Sequence, residues 1–206
     1  MQEHKITEHY FTKSPKSRLV ESEIDVVFMN ERIKLVSASG IFSKSKQDFA
    51  TRFLSESAFS FIPIKGRVLD LGCGNGALSI PLAVNKKNCD FLLSDVNERA
   101  VKIALKNIKR LGLKNCKAVQ SDLFENIDNE LFDVILSNPP MATKKEFREK
   151  MVKESFDHLN PKGMLMMVAN NNKGGKMIKG YIESYFGSCE VISKKNGFWV
   201  YLGRRE

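Results

Sequence analysis

The sequence predicts an α/β protein. Its centre is a doubly wound, seven-stranded, mostly parallel sheet with an antiparallel hairpin at the C-terminal edge, and a short β-hairpin extension precedes it. Three observations carry this reading. From residue 66 onward, short and nearly continuous apolar runs alternate with amphipathic stretches of helical period. Strands that apolar belong in a parallel sheet covered on both faces. The last two apolar runs are separated by Asn196-Gly197, a dipeptide suited to a two-residue turn, so they close antiparallel.

The elements follow in order. Residues 24–36, IDVVFMNERIKLV, read as two strands turning at Asn30-Glu31. A serine-rich loop containing Gly40 leads to a helix over 47–60, where Phe49, Phe53 and Leu54 share a face, and Pro63 closes that segment. RVLDLG is the first main strand, and GALSIPLAVN the first covering helix, with Pro81 expected to kink or fray it. CDFLLSDV is a strand. NERAVKIALKNIKRLGL is an amphipathic helix, with Gly112 suited to its stop. KAVQSDL and LFDVILS are strands. KKEFREKMVKESFDHL is a helix expected to end at Pro161. GMLMMVAN, GKMIKGYIESYF, CEVISKK and GFWVYLG complete the pattern as strand, helix and two closing strands. Residues 1–44 are read as an N-terminal extension and 45–206 as the main domain.

The 206 residues suffice for one domain with a substantial core. No apolar run approaches the ~20 residues of a membrane span. The first residues are polar and mixed in charge, without the apolar centre of a secretory signal, which points to a cytoplasmic protein with no membrane partner. Cys73, Cys89, Cys116 and Cys189 lie far apart, and His4, His9 and His158 share no ligand spacing, so no metal site is expected. Cys73 sits in a glycine loop, where a reactive thiol is conceivable and a small packing side chain is the plainer reading. A formal net charge of +9 makes a polyanionic partner plausible where the charge clusters near the chemistry.

Ligands of such sheets bind beyond the carboxyl ends of the strands. The first main strand ends LDLGCGNGA, with Asp70, Gly72 and Gly74. These glycines allow a tight turn and a ligand approach unobstructed by Cβ atoms. With Ala77 they also satisfy the Rossmann-like G-x-G-x-x-A fingerprint. Asp70 opposes a dinucleotide, because a carboxylate there repels a pyrophosphate and suits an ammonium group. Asp95, followed by Val96, ends the next strand at a distance fitting a ribose diol. Asp122, followed by Leu123, ends the third, where it is placed for an adenine amino group. Each acid also has a plain alternative as a helix N-cap. An amino-acid tail, a ribose and an adenine together describe S-adenosyl-L-methionine.

The run Val68 to Ala83, with Asp95, Asp122 and Asn138-Pro139-Pro140, resembles the class I S-adenosylmethionine-dependent methyltransferases. It is most similar to the "methyltransferase small" domain family, which includes small-subunit ribosomal RNA guanine-N2 methyltransferases. The family's G-[VI]-F-S loop is matched by Gly40-Ile41-Phe42-Ser43, and its following acidic position by Asp48. The resemblance, over roughly residues 37 to 202, implies that Phe42 and Ser43 lie over the cofactor. It also implies that Asn138, next to the cofactor, marks methylation of a planar amino or amide nitrogen.

Such a nitrogen is a poor nucleophile, because its lone pair is delocalised into the ring. Two acceptors gripping its N–H bonds would aim it. Asn138 offers a side-chain oxygen and Pro139 a backbone carbonyl. Each precedes a proline and is therefore held extended. Many relatives carry an aromatic residue at the next position, on which the target base stacks. This chain has Met141, so Phe42, Phe147 and Trp199 are the candidates to supply the ring. Pro140, Met141, Lys144, Lys145 and Arg148 are the expected substrate contacts. Lys150, Lys153, Lys173, Lys176 and Lys179 extend a cationic rim, with Lys194, Lys195, Arg204 and Arg205 as possible extensions, suited to RNA phosphates. The leading expectation is transfer to an exocyclic base amine of RNA, with guanine N2 of ribosomal RNA as the first candidate. The alternatives are a protein glutamine N5 or adenine N6 methyltransferase, and a non-catalytic S-adenosylmethionine-binding protein.

Overall fold

The structure, a computed structural model, describes residues 12–15, 17–42 and 46–206. Residues 1–11, which include His4 and His9, and residues 16 and 43–45, which include Ser43, lie outside the described residues. Among the described residues no helix is long and apolar enough to cross a membrane.

Among the described residues, nine strands and five α-helices follow the expected alternation. An antiparallel pair, β1 (Glu21–Phe28) and β2 (Glu31–Ala38), precedes helix α1 (Phe49–Ala58). Then come β3 (Gly66–Leu71), α2 (Ser79–Asn85), β4 (Cys89–Asp95), α3 (Glu98–Arg110), β5 (Cys116–Gln120) and β6 (Phe132–Ser137). Helix α4 (Lys145–Asp157), β7 (Leu159–Asn170), α5 (Lys176–Phe186), β8 (Glu190–Lys195) and β9 (Phe198–Arg204) complete the chain. The main sheet of the described residues has seven strands in the order β5-β4-β3-β6-β7-β9-β8, and β9 runs opposite to the other six. The order reverses at β3, whose neighbours are β4 and β6, so the crevice of a doubly wound sheet opens above the β3 tip.

Period-two alternation divides the core between the two faces. Val68, Val134 and Leu136 point toward the side covered by Leu54, Ile80 and Ile108. Leu69, Ile135 and Leu165 point toward the side covered by Val152, Ile178 and Ile182. Each fully buried side chain of this size contributes roughly 1.5–3 kcal/mol. Truncating Ile135, which is fully buried in the sheet's centre, is therefore a change of the most damaging kind. The hairpin β1–β2 joins the first of these clusters through Ile24, Val26, Phe28 and Leu35. Buried Asn107 of α3 ties it down, accepting from Val36 N at 2.7 Å and donating to Val36 O at 2.9 Å and to Asn75 O at 3.0 Å.

Three local expectations are corrected. The first hairpin turns at Met29-Asn30, where both residues have positive φ (47° and 70°) between paired Phe28 and Glu31. Pro81 lies in the first turn of α2, where its missing N–H costs no helical bond, and α2 runs through it. The fourth covering helix stops at Asp157, and Pro161 lies within β7, near a register irregularity between Phe132 and Val134 of β6. Residues 171–175 form an irregular turn before α5, with Gly174 at φ +105°. Asn196-Gly197 turns as expected, with φ of 50° and 78°.

Candidate active site

A cleft of about 810 Å³ opens at the carboxyl ends of β3, β4, β5 and β6. Its floor is the turn after β3. Gly72 and Gly74 take φ of +82° and +57°, and a Cβ built on Gly72 would meet nothing within 4 Å. That open space above bare backbone is where a ligand can lie against the chain. Gly76 serves packing instead. At φ +86°, a Cβ there would sit 2.5 Å from Ile80 Cδ1.

Asp95, at the tip of β4, is wired to this floor. Its Oδ2 accepts from Gly74 N at 2.9 Å and its Oδ1 from Asn97 N at 2.9 Å. The N-cap of α3 is Asn97, which accepts from Arg99 N and Ala100 N, so Asp95 is spared that task. Burial raises the Asp95 carboxyl above its ordinary value, against the lowering effect of the two backbone donors. Val96 also lines the cleft. Asp122 lines it as an exposed residue, and no helix follows β5 for it to cap. Leu123 beside it is buried with φ +50°, a conformation unusual for a branched side chain.

Asp70 is placed differently from the expectation. It is 1% exposed, lies within β3 beneath the glycine turn, and is absent from the cleft wall. Burial pushes its carboxyl up to about 7. The Ser79 hydroxyl opposes the shift and the Asp95 charge adds to it. Its Oδ2 has no hydrogen-bond partner among the described residues. Cys73 lines the cleft, and burial pushes its thiol well up, so a ready thiolate is not a property of this loop.

Asn138, Pro139, Pro140 and Met141 form the wall beyond β6. The Asn138 Nδ2 group donates to Asp48 Oδ2 at 3.1 Å and to Thr51 Oγ1 at 2.9 Å. The Pro140 carbonyl is tied back by Thr143, accepting from its N at 3.3 Å and its Oγ1 at 2.7 Å. Phe42, 42% exposed, lines the cleft together with Ile41. That loop is held by Asn97 Nδ2 donating to Gly40 O at 2.9 Å.

The cationic expectations divide. Lys144 lines the cleft and Lys145 is exposed at the start of α4. Arg148 is not a free contact. It is 6% exposed, and its Nη1 donates to the carbonyls of Met141 and Thr143. Arg204 and Arg205 lie at the far end of β9, opposite the cleft, because β9 runs antiparallel to β7. Arg204 pairs with Glu190, and Arg205 donates to the carbonyls of Phe156, Asp157 and Leu159. Trp199 faces away from the cleft, with Lys194 Nζ 4.2 Å from its ring centroid. Phe147 does line the cleft, and so does Phe198, which the sequence reading missed. Phe198 begins β9 opposite Asn170 and packs on Phe49 at 5.6 Å between ring centroids. The topology held the signal: a strand returning antiparallel from an edge turn starts level with the parallel strand tips. Thr51 was also missed.

The arrangement supports a test of cofactor fit. A buried carboxyl with an unpartnered oxygen, a second carboxyl at the cleft floor and a third at its rim suit a ligand that brings positive charge and hydrogen-bond donors. They disfavour a pyrophosphate. S-adenosylmethionine fits on both counts.

Comparison with known proteins decides the family. Residues 32–202 match the family described as methyltransferase small domain. The chain belongs to that family. With the methyltransferase small domain comes the plain conclusion that this is an S-adenosylmethionine-dependent methyltransferase. The chain is 32% identical over 201 residues to Bacillus subtilis "Uncharacterized protein YbxB", covering 97% of this chain and 100% of that one. It is 31% identical over 176 residues to ribosomal RNA small subunit methyltransferase C of Actinobacillus pleuropneumoniae serotype 7, covering 84% of this chain. It spans 52% of that relative's length, about half. In fold it matches a T. thermophilus 16S rRNA N2 G1207 methyltransferase in complex with AdoMet and guanosine. The TM-score is 0.80 at 24% identity, over 93% of this chain and 52% of that one. A methyltransferase from Pyrococcus furiosus matches with a TM-score of 0.63 at 27% identity, over 72% of this chain and 79% of that one.

Proposed function

We propose that this protein transfers a methyl group to an exocyclic base amine of RNA, with guanine N2 of ribosomal RNA as the first candidate. The observation that carries the reading is the Asn138-Pro139 wall standing in the same cleft as the glycine floor and Asp95. The names of relatives such as the small-subunit ribosomal RNA methyltransferase C of A. pleuropneumoniae support the choice of RNA.

In this reading Asp95 and Asp122 take the ribose and adenine, the backbone at Gly72 and Gly74 lies beneath the tail, and Phe42 covers it. Val96 and Leu123 shape the adenine slot. Asp70 acts from below, as a buried negative charge under the turn and not as a direct ligand. When bound, S-adenosylmethionine supplies a methyl group on a positively charged sulfur. The protein does the rest by placement. Asn138 Oδ1 and the Pro139 carbonyl each accept one N–H of the substrate amine. The nitrogen lone pair is thereby turned toward the methyl group and away from the ring. Neither acceptor has to reorganise during transfer. Holding both reactants at this wall supplies effective molarities on the order of 10⁵–10⁸ M. After transfer the charged amine releases its proton to solvent, so no dedicated base is required.

Pro140, Met141, Phe147 and Phe198 form the walls for the base, and Lys144 and Lys145 meet phosphates at the rim. The experiment is incubation with labelled methyl donor and total RNA from cells lacking this protein, followed by nucleoside mass analysis. Methyl label in N2-methylguanosine supports the reading. Label in N6-methyladenosine, or in protein after RNase treatment, replaces it.

A further inference from the structure

The proposed transfer needs Asn138 to present oxygen, yet an asparagine amide carries two N–H donors on its other arm and can turn over. The arm that faces the cleft decides whether the wall grips an N–H or repels it. Helix α1 makes that choice. Asn138 Nδ2 donates to Asp48 Oδ2 at 3.1 Å and to Thr51 Oγ1 at 2.9 Å. Thr51 spends its hydroxyl proton on the same Asp48 oxygen at 3.3 Å, which turns a lone pair toward Asn138. The Thr51 backbone N–H reaches that oxygen at 3.0 Å. Every bond in the chain runs one way and ends on a carboxylate, which only accepts. An inverted amide would set Asn138 Oδ1 against Asp48 Oδ2 with no proton between them. Asp48 cannot drift to relieve this, because it is the N-cap of α1 at φ −69°, ψ 140°. Thr51 is 8% exposed and equally fixed.

We propose that Asp48 and Thr51 are positioning residues that lock the Asn138 amide with Oδ1 toward the cleft, restricting the methyl acceptor to groups that donate N–H. Unprotonated ring nitrogens, such as guanine N7, and carbonyl oxygens, which only accept, are turned away by the same lock. The inference rests on the proposed transfer reaction and assigns its donor selectivity to two residues 90 and 87 positions from Asn138 in sequence.

Three variants separate positioning from folding. Asp48→Ser keeps an effective N-cap but is too short to reach Asn138. Thr51→Val removes only the hydroxyl, and Thr51→Ser restores it. The readouts are proton exchange of the Asn138 side-chain amide by ¹⁵N NMR, and kcat and KM for methyl transfer. The lock predicts slow exchange in the parent and in Thr51→Ser, and fast exchange in Asp48→Ser and Thr51→Val. It predicts a kcat loss of about 10–100-fold in those two, the range for groups that orient a reacting residue. KM for the cofactor should stay within about twofold. Unchanged exchange in both variants, or a kcat within about twofold of the parent, overturns the proposal. If the parent methylates no RNA, the substrate reading falls on its own. The exchange measurement still decides the lock, which loss of protection in the variants supports and unchanged protection rejects. If Asp48→Ser does not fold, the Thr51 pair decides alone.

Discussion

The Arg148 guanidinium donates to the backbone carbonyl of Met141 at 2.8 Å, from a side chain that is 6% exposed. A second bond, to the Thr143 carbonyl at 2.7 Å, makes it a clamp on the segment after the prolines. Hydrogen bonds from a charged group are each worth about 1.5–3 kcal/mol. Arg148→Met loses both and should destabilise the fold by roughly 3–6 kcal/mol in denaturant titration and lower transfer, without changing the salt dependence of RNA binding. Lys144→Ala should do the reverse: stability within about 0.5 kcal/mol of the parent, and a salt slope smaller by about one. A folded Arg148→Met with a reduced salt slope would show that the arginine meets phosphate after all.

Asp70 sets a pH dependence whose sign is opposite to that of a salt-bridged acid. Its carboxyl is held at about 7 in the folded protein, against an ordinary 3.8. Below pH 3.8 both states are protonated and nothing is lost. Between 3.8 and about 7 the unfolded chain ionises while the folded one resists, so stability falls as pH rises and then levels off. The full effect is on the order of 4 kcal/mol. In thermal melts of the ligand-free protein, Asp70→Asn should be the more stable form at pH 8 by roughly 5–15 °C, the two converging near pH 4. Parallel profiles would place the charge elsewhere.

The Met141 terminal methyl occupies the space a side chain at position 174 would need. A Cβ on Gly174 would lie 2.3 Å from Met141 Cε, at a backbone φ of +105°. Gly174→Ala should destabilise by about 1–3 kcal/mol and push Met141 into the cleft. Adding Met141→Ala should relieve the clash but not the backbone strain, giving a coupling energy of about 0.5–3 kcal/mol in a double-mutant cycle. Additive effects would mean that the thioether moves aside freely.

The sheet was readable because its strands are bounded by glycine, proline and charged turns, and because local periodicity decides them. The glycine floor, Asp95, Asp122 and Asn138 were readable as strand-end positions, since a parallel sheet brings every such end to one side. What escaped depended on the third dimension. Asp70 and Asp95 look alike as strand-terminal acids, yet Asp70 falls one residue short of the rim and is buried. Arg148 reads as one more rim cation, although its place on α4 turns it inward. Thr51 and Phe198 carry no motif: Thr51 reaches the cleft because the start of α1 lies against Asn138 beyond β6, and Phe198 because β9 returns antiparallel beside β7. Arg204 and Arg205 were misplaced because charge along a strand says nothing about which end meets the ligand.

In the proposed reaction the Asn138 oxygen accepts a substrate N–H and so turns the nitrogen lone pair toward the methyl group. Single-turnover methyl transfer to RNA by Asn138→Ala, with cofactor affinity measured in parallel by calorimetry, tests it most directly. The expected result is a rate loss of about 10²–10³-fold, the scale for removing one preorganised transition-state contact, with cofactor affinity nearly unchanged. A variant that transfers methyl groups within about fivefold of the parent rate, or one whose loss is wholly a loss of cofactor binding, would contradict it.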